Sequence, residues 1–207
     1  SKIKEYFTGQ FTALRKAKTN VQMVQQTSLV KYASLFQFLQ QEGCNVADEL
    51  RALYIASMDR TLYSLFRSYH DKLMKLEYTV ASKQDLVAVE DAALRSVFTH
   101  KVDLSKRCDA FSLGERDRIL DQIENEPILV HVATAEAQRF PFESLLRSEV
   151  KHLSDAATNE FLFIIDFFGT APRDTFNKIF VRTLSLILEN LENYLLNCYD
   201  AVGLLLM

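Results

Sequence analysis

Histidine and cysteine are the residues of this chain that could hold a metal ion. The sequence contains His70, His100, His131, His152, Cys44, Cys108 and Cys198. No two histidines have the HExxH spacing, no histidine neighbours a cysteine at zinc-finger spacing, and there is no CxxC pair. The sequence therefore predicts neither a metal nor a cofactor. An odd number of widely spaced cysteines also favours a reducing compartment such as the cytosol.

Motifs for phosphate binding and nucleophilic catalysis are absent from the sequence. Its five glycines lie far apart, which excludes a P-loop and a dinucleotide fingerprint, and there is no Gly-x-Ser-x-Gly elbow. Carboxylates are plentiful, but on amphipathic helices their expected place is the solvent-facing side, and no pair of them falls in an apolar setting. The sequence therefore predicts that this protein is not an enzyme.

Three residues outside the regular apolar pattern are candidates for binding a partner. They are Phe111, and Arg139 with Phe140 just before Pro141. Large aromatic side chains and arginine are the residue types that most often anchor protein interfaces. The alternative, favoured here for Phe140, is that the aromatic side chains hold a long loop against the helices. Phe142 continues an apolar stripe and is expected to be buried.

One long apolar stripe predicts the longest helix. From Val46 to Leu76 apolar residues recur at spacings of three and four, with one of five, which is the pattern of a single helical face. Such a helix is about 45 Å long and suits lateral packing better than enclosing an active site. We expect Gly43 to end the preceding helix and Asn45 to cap this one. The stripe comprises Val46, Leu50, Leu53, Met58, Leu62, Leu65, Phe66, Tyr69, Leu73 and Leu76.

Similar patterns predict four further helices. They span residues 2–16, from Thr19 or Asn20 to Gln41, from Pro141 to Phe168, and from about Phe176 to Leu205. Gly169 is expected to stop the third of these. Proline at the first helical position places Glu143 where its carboxylate can reach back to the cap amide.

Periodicity is lost between about Ala81 and Glu126, apart from a short helical stretch that ends near Ile123, and a short extended apolar piece is expected at Ile128–Val130. The expected fold is all-α, an elongated multi-helix bundle of long amphipathic helices with an irregular excursion near 81–140. We expect a single module over 1–207, with first helices in 1–80 and last helices in 141–207. Because the chain begins and ends inside helical pattern, we expect it to be a fragment of a longer protein.

Composition and charge limit the classes of partner. Hydrophobic residues make up 48% of the chain, with only five glycines and three prolines, as expected for a helical globular protein. The net charge of −3 is too balanced to predict a nucleic-acid binder. The charge is unevenly spread, at +5 up to Lys75 and −8 beyond it. The basic end suits either an ordinary solvated surface or contact with an acidic partner or membrane.

Two alternative functions follow from charged residues. The first is a helical GTPase-regulating domain that acts through an arginine finger, for which Arg107, Arg116 and Arg139 are candidates. The second is a lipid-binding domain that uses the basic N-terminal part.

Nine motifs in order resemble the vacuolar protein sorting-associated protein 52 family over essentially the whole chain. One departure is Ala17, where family members often carry proline. The motifs are Arg15–Asn20, Leu29–Tyr32, Asp85–Asp91, Phe111–Arg116, Glu126–Val130, Arg139–Ser148, Glu160–Phe163, Arg182–Ser185 and Tyr194–Ala201.

This resemblance implies a non-enzymatic subunit of a multisubunit vesicle tether. Such subunits belong to the Golgi-associated retrograde protein (GARP) complex and its endosomal sister complex (EARP), which act in retrograde transport from endosomes to the trans-Golgi network. The implied partners are sister subunits, SNAREs and a Rab-type small GTPase. The implied location is peripheral, on the cytosolic face of the trans-Golgi network and endosomes. Family members are longer, with an upstream coiled-coil region and more helical bundle downstream.

Overall fold

A computed structural model describes residues 2–16, 19–82, 112–114 and 116–207. Every regular element within these ranges is helical, which confirms the all-α helical bundle. Among the described residues, one isolated parallel β-bridge joins Glu77 and Phe140. No helix in these ranges has both the length and the apolar character needed to cross a membrane. Ala17 and the motif at 85–91 lie outside the described residues.

The first helices follow the predicted bounds with one irregularity. Helix α1 spans Lys2–Ala13, and α2 spans Val21–Val24. Asn20 immediately precedes α2, and its Oδ1 accepts a 3.0 Å hydrogen bond from Met23 N. Asn20 is therefore the cap that the sequence predicted. The following helix is not uniform, because a π-helical turn (Gln25–Leu29) and a 3₁₀ turn (Val30–Tyr32) precede α3, Ala33–Glu42.

The long helix is present, with α4 at Cys44–Leu73 followed by a 3₁₀ turn at Met74–Leu76. Gly43 is the C-cap of α3, as predicted. The helix begins at Cys44 immediately afterwards, so Asn45 lies inside the first turn and the prediction that it caps α4 was wrong. Leu62 is 6% exposed, whereas Leu65 is 46% exposed. Leu65 therefore lies outside the buried face of α4. Tyr54, which is not part of the apolar stripe predicted from the sequence, belongs to that face.

Two short helices occupy the described part of the excursion, and three more follow it. They are α5 at Arg118–Asp121, α6 at Val130–Ala135, α7 at Phe142–Phe168, α8 at Pro172–Leu195 and α9 at Ala201–Leu206. Gly169 ends α7 at a φ of +67°, a conformation that glycine adopts without strain. The predicted last helix to Leu205 is in fact two helices, separated at residues 196–200.

The chain divides into two compact units, 1–68 with 153–188, and 69–152 with 189–207. A single module over 1–207 stays a prediction. The first unit has an aromatic core in which rings from α1, α3 and α7 meet, with Phe36 and Phe167 centroids 5.0 Å apart. The largest buried side chains there are Phe7, Phe11, Phe36, Tyr54, Phe66, Phe163, Phe167, Phe168 and Phe180.

The second unit has a smaller core made of Leu73, Leu76, Ala133 and Leu145. At the edge of this core, Ser148 Oγ accepts a 2.7 Å hydrogen bond from Ile128 N and lies 2.7 Å from the Tyr69 hydroxyl. Ser148 therefore links the segment before α6 to the end of α4. The helical backbone ends at Glu77, which has extended angles of φ −64° and ψ 140°.

Candidate functional site

Arg116, Glu143 and Asp200 form a nearly buried ion cluster in the second unit. Arg116 Nε donates to Glu143 Oε1 at 2.6 Å, while Nη1 and Nη2 donate to Asp200 Oδ1 and Oδ2 at 3.1 and 2.5 Å. The three side chains are 11%, 2% and 8% exposed, respectively. Burial alone would lower the pKa of Arg116, but the hydrogen bonds to both carboxylates raise it above its ordinary value.

The ion cluster changes two expectations from the sequence. Glu143 uses its carboxylate on Arg116 rather than on the cap amide, so the predicted capping role was wrong. The helix itself starts at Phe142, with the Pro141 carbonyl accepting from Ser144 N at 3.1 Å. Arg116 has its guanidinium committed to two carboxylates, which leaves it poorly suited to reach another protein as an arginine finger.

Asp200 also starts the last helix. Its Oδ1 accepts a 2.9 Å hydrogen bond from Gly203 N, and it is the N-cap of α9. A Cβ at position 203 would lie 2.6 Å from Asp200 Oδ2 and 2.8 Å from Arg116 Nη2. Glycine at this position is therefore what allows α9 to approach the ion cluster.

Phe142 and Tyr194 stack directly, with ring centroids 3.3 Å apart and planes 6° apart. Phe142 is buried, which confirms the expectation from the apolar stripe. Burial raises the pKa of the Tyr194 hydroxyl above its ordinary value, and a hydrogen bond with Cys198 acts in the same direction. The start of α7 is thus tied to the last turns of α8.

Two of the three candidate partner-binding residues, the neighbours Arg139 and Phe140, both bond to the backbone of residues 75–78. Phe140 is half-buried against the small core, and its backbone bonds to Leu76 O at 2.9 Å and Tyr78 N at 3.0 Å. Arg139 is exposed and its guanidinium donates to the carbonyl of Lys75. Phe111 and Arg107 lie outside the described residues. A partner-binding role for Arg139, Phe140 and Phe111 stays a prediction.

A cavity of about 470 Å³ lies in the same unit. Its lining comes from the end of α4 and the extended segment that follows, from Phe142, and from the last turns of α8 with the loop to Asp200. Three asparagines at helical spacing, Asn190, Asn193 and Asn197, contribute to it. Sequence reasoning passed over them, although their spacing of three and four along a helix was a readable signal.

The residues that the structure describes offer little for metal or cofactor chemistry. Among them no three His, Cys, Asp or Glu side chains are grouped as a metal site would require. Cys44 and Cys198 are free thiols. His70 Nδ1 lies 3.1 Å from the Glu149 carboxylate.

A second polar cluster that the sequence did not reveal lies in the core of the first unit. The Tyr54 hydroxyl donates to Glu160 Oε1 at 2.6 Å, and Gln25 Nε2 donates to Glu160 Oε2 and Tyr54 Oη at 2.8 Å each. All three side chains are buried. Gln25 is the first residue of the π-helical turn, a kind of irregularity that often marks a functional or strained position.

Comparison with known proteins points to one family. The family profile described as "Vps52, C-terminal" matches residues 56–207. The chain is 41% identical over 212 residues to vacuolar protein sorting-associated protein 52 homolog of Homo sapiens, and 38% identical over 207 residues to vacuolar protein sorting-associated protein 52 A of Arabidopsis thaliana. Both matches cover 100% of this chain and 29% of the relative.

A more distant relative extends the same similarity. The homolog of Caenorhabditis elegans is 30% identical over 213 residues, covering 98% of this chain and 30% of that protein. The chain thus spans about 29% of the length of the first two relatives. No solved structure matches it significantly. Since the family profile covers residues 56–207, well over half of the chain, this chain belongs to the Vps52 family.

Proposed function

We propose that this chain is a non-enzymatic segment of a multisubunit vesicle-tethering complex that acts in retrograde transport from endosomes to the trans-Golgi network. The observation that carries the proposal is the match of residues 56–207 to the C-terminal profile of the Vps52 family. The relatives' names refer to vacuolar protein sorting. A protein built from long packed helices suits the task of holding partners at a distance.

The proposed setting is the GARP complex and its endosomal sister EARP. Its partners in this proposal are the sister subunits, SNAREs and a Rab-type small GTPase. The complex would attach peripherally to the cytosolic face of the trans-Golgi network and endosomes. The described residues offer helical surfaces for such contacts, and no helix among them could anchor the protein by crossing the bilayer.

The contacts of Arg116 and Arg139, the two candidate arginines that the structure describes, favour tethering over GTPase regulation. An arginine finger has to extend a mobile guanidinium into the active site of another protein. Arg116 is held by Glu143 and Asp200 in the ion cluster, and Arg139 bonds to the Lys75 carbonyl. Binding a GTPase without accelerating its turnover is the behaviour proposed here.

Deleting this segment from the full-length protein tests the proposal. In cells depleted of the native protein, the intact chain should restore the steady-state distribution of a receptor that cycles between endosomes and the trans-Golgi network. The deleted chain, expressed at the same level, should fail to do so. Normal receptor recycling with the segment missing would contradict a role for it in retrograde tethering.

A turnover assay separates tethering from GTPase regulation. Purified Rab-type GTPases should hydrolyse GTP at the same rate with and without this chain. An accelerated rate that is lost in Arg139→Ala but kept in the exposed control Arg67→Ala would overturn the non-enzymatic proposal in favour of the GTPase-regulating one.

A further inference from the structure

The π-helical turn between α2 and α3 is tied to a buried carboxyl group. Gln25, the first residue of this turn, donates from Nε2 to Glu160 Oε2 and to Tyr54 Oη at 2.8 Å each. Gln25 also supplies the carbonyl that accepts from Val30 N, which is the hydrogen bond that closes the turn. One residue therefore connects the backbone of the turn to the polar cluster in the core of the first unit.

Two further side chains hold the backbone of the same turn. Tyr6 Oη donates to Ser28 O at 2.9 Å, and Thr27 Oγ1 donates to Met23 O at 2.7 Å. A π-helical turn interrupts the regular α-helical pairing, so side chains that bond to its carbonyls help to maintain it. Gln25 differs from these two because its partners lie in the core.

Glu160 meets neutral side chains rather than a cation. It is 3% exposed, and its hydrogen-bond partners within the described residues are Tyr54 and Gln25. Aromatic rings surround Tyr54, with the Phe11 centroid 5.1 Å and the Phe163 centroid 5.4 Å from its own. A buried carboxylate without a cation is costly, so the folded turn favours the protonated form of Glu160.

The other titratable groups around the turn keep their charge state below neutral pH. Tyr54 faces Glu160 from α4, Tyr6 faces the turn from α1, and burial raises the pKa of each hydroxyl above its ordinary value of 10.0. From α8 the same core receives apolar side chains such as Phe180. Burial raises the pKa of Glu160 from 4.5 to about 7. Within this cluster, Glu160 is therefore the group that changes charge between about pH 4.5 and pH 7.

Local opening of the turn would bring water to this carboxyl. A hydrated Glu160 regains its ordinary pKa of 4.5, so each pH unit between about 4.5 and 7 favours the open state about tenfold more over the closed state. Below this window the carboxyl is protonated in both states, and above it the carboxyl is ionised in both. The effect of pH on opening is thus confined to the window and levels off near neutral pH.

We propose that the turn Gln25–Leu29 is a proton-linked hinge, in which loss of the proton from Glu160 opens the turn and lets α2 move relative to α3. Gln25 is the link, since its amide donates through Nε2 to a carboxylate and can offer Oε1 to a protonated carboxyl. Exposed apolar side chains lie on both sides of the hinge, Met23 before it and Phe38 after it, so opening changes how the two are presented. This inference goes beyond tethering and does not depend on it, because opening can be measured with the purified chain alone.

Amide hydrogen exchange of the unaltered chain tests the hinge. After correction for intrinsic exchange, the protection of amides 26–32 should fall by about tenfold or more between about pH 5 and pH 7 and then level off. Their exchange should be nearly independent of low urea concentrations, because local opening exposes little surface. Exchange of Ile179, a buried residue of α8, should respond to urea as global unfolding does. Constant protection of 26–32 across this pH range, or the same urea dependence at both places, would overturn the proposal.

Two variants and one control identify the group responsible. Glu160→Gln keeps the shape of the side chain but cannot ionise, so the pH dependence of protection should disappear. Gln25→Met removes a donor that stabilises the carboxylate, so the midpoint of the pH dependence should move to higher pH. Glu42→Gln changes an exposed carboxyl of α3 and should behave as the unaltered chain does. A pH dependence that survives in Glu160→Gln, or an unmoved midpoint in Gln25→Met, would each contradict the hinge, and the pH series of the unaltered chain decides the matter even if a variant fails to fold.

Discussion

Tyr54 donates its hydroxyl to Glu160 across 2.6 Å, and both side chains are buried although they lie 106 residues apart in the chain. Burial raises the pKa of Glu160 from 4.5 to about 7, against the lowering effect of the hydrogen bonds from Tyr54 and Gln25. Burial also raises the pKa of Tyr54 above its ordinary value, and the neighbouring Glu160 acts in the same direction. This carboxyl therefore keeps its proton in the folded state at pH values where the unfolded chain has lost it.

The stability of the protein should fall as the pH rises through this window. Between about pH 4.5 and pH 7 the folded state binds more protons at Glu160 than the unfolded state does, so the free energy of unfolding decreases and then levels off. We expect Glu160→Gln to remove on the order of 1–3 kcal/mol of this pH dependence. Urea titrations across that range measure it, with exposed Glu192→Gln as the control. An identical pH profile in Glu160→Gln and the unaltered chain would contradict the assignment.

Arg116→Ala should destabilise the protein strongly. The substitution leaves Glu143 and Asp200 buried without their cation, a loss that costs about 3–5 kcal/mol in comparable buried ion pairs. Arg67→Ala removes an exposed arginine and should change the free energy of unfolding by less than about 0.5 kcal/mol. Denaturant unfolding of both variants checks this. Equal stability of the two would show that the ion cluster contributes nothing to the fold.

Leu62 and Leu65 form a matched pair on the long helix. Leu62 is buried in the core of the first unit, so Leu62→Ala should cost about 2–5 kcal/mol. Leu65 is largely exposed, and Leu65→Ala should be close to neutral because alanine keeps the helix propensity. Thermal melts of both variants test which side of the stripe faces the core. A larger loss for Leu65→Ala than for Leu62→Ala would reverse the assignment.

Phe140→Ala distinguishes a structural clamp from a partner anchor. Phe140 packs on Leu73, Leu76, Ala133 and Leu145, so its loss should lower stability by about 1–3 kcal/mol, less than a fully buried phenylalanine. The same variant is then tested for co-precipitation of sister subunits with the full-length protein. An unchanged melting temperature with lost co-precipitation would make Phe140 an anchor instead.

Sequence alone determined the features that depend on near neighbours in the chain. The apolar period of α4, the end of α3 at Gly43, the cap at Asn20, the stop at Gly169 and the burial of Phe142 could all be predicted. Helical periodicity and capping act over three or four residues, so the local sequence carries their whole signal. The nine ordered motifs also pointed to the family from the sequence alone.

Tertiary structure decided every feature whose partner lies far away in the chain. Glu143 bonds to Arg116, 27 residues earlier, instead of to the cap amide predicted from the sequence. A hydrogen bond between a guanidinium and a carboxylate is stronger than one between a neutral amide and a carboxylate. The predicted last helix is interrupted where Asp200 pairs with Arg116, 84 residues away, and caps α9. On α4, Tyr54 is buried and Leu65 is exposed, although the apolar pattern predicted the opposite choice. Tyr54 can be buried because its hydroxyl hydrogen-bonds to Glu160 and Gln25. A one-dimensional pattern shows which residues are apolar, whereas the satisfaction of a buried polar group depends on which distant side chains the fold brings beside it.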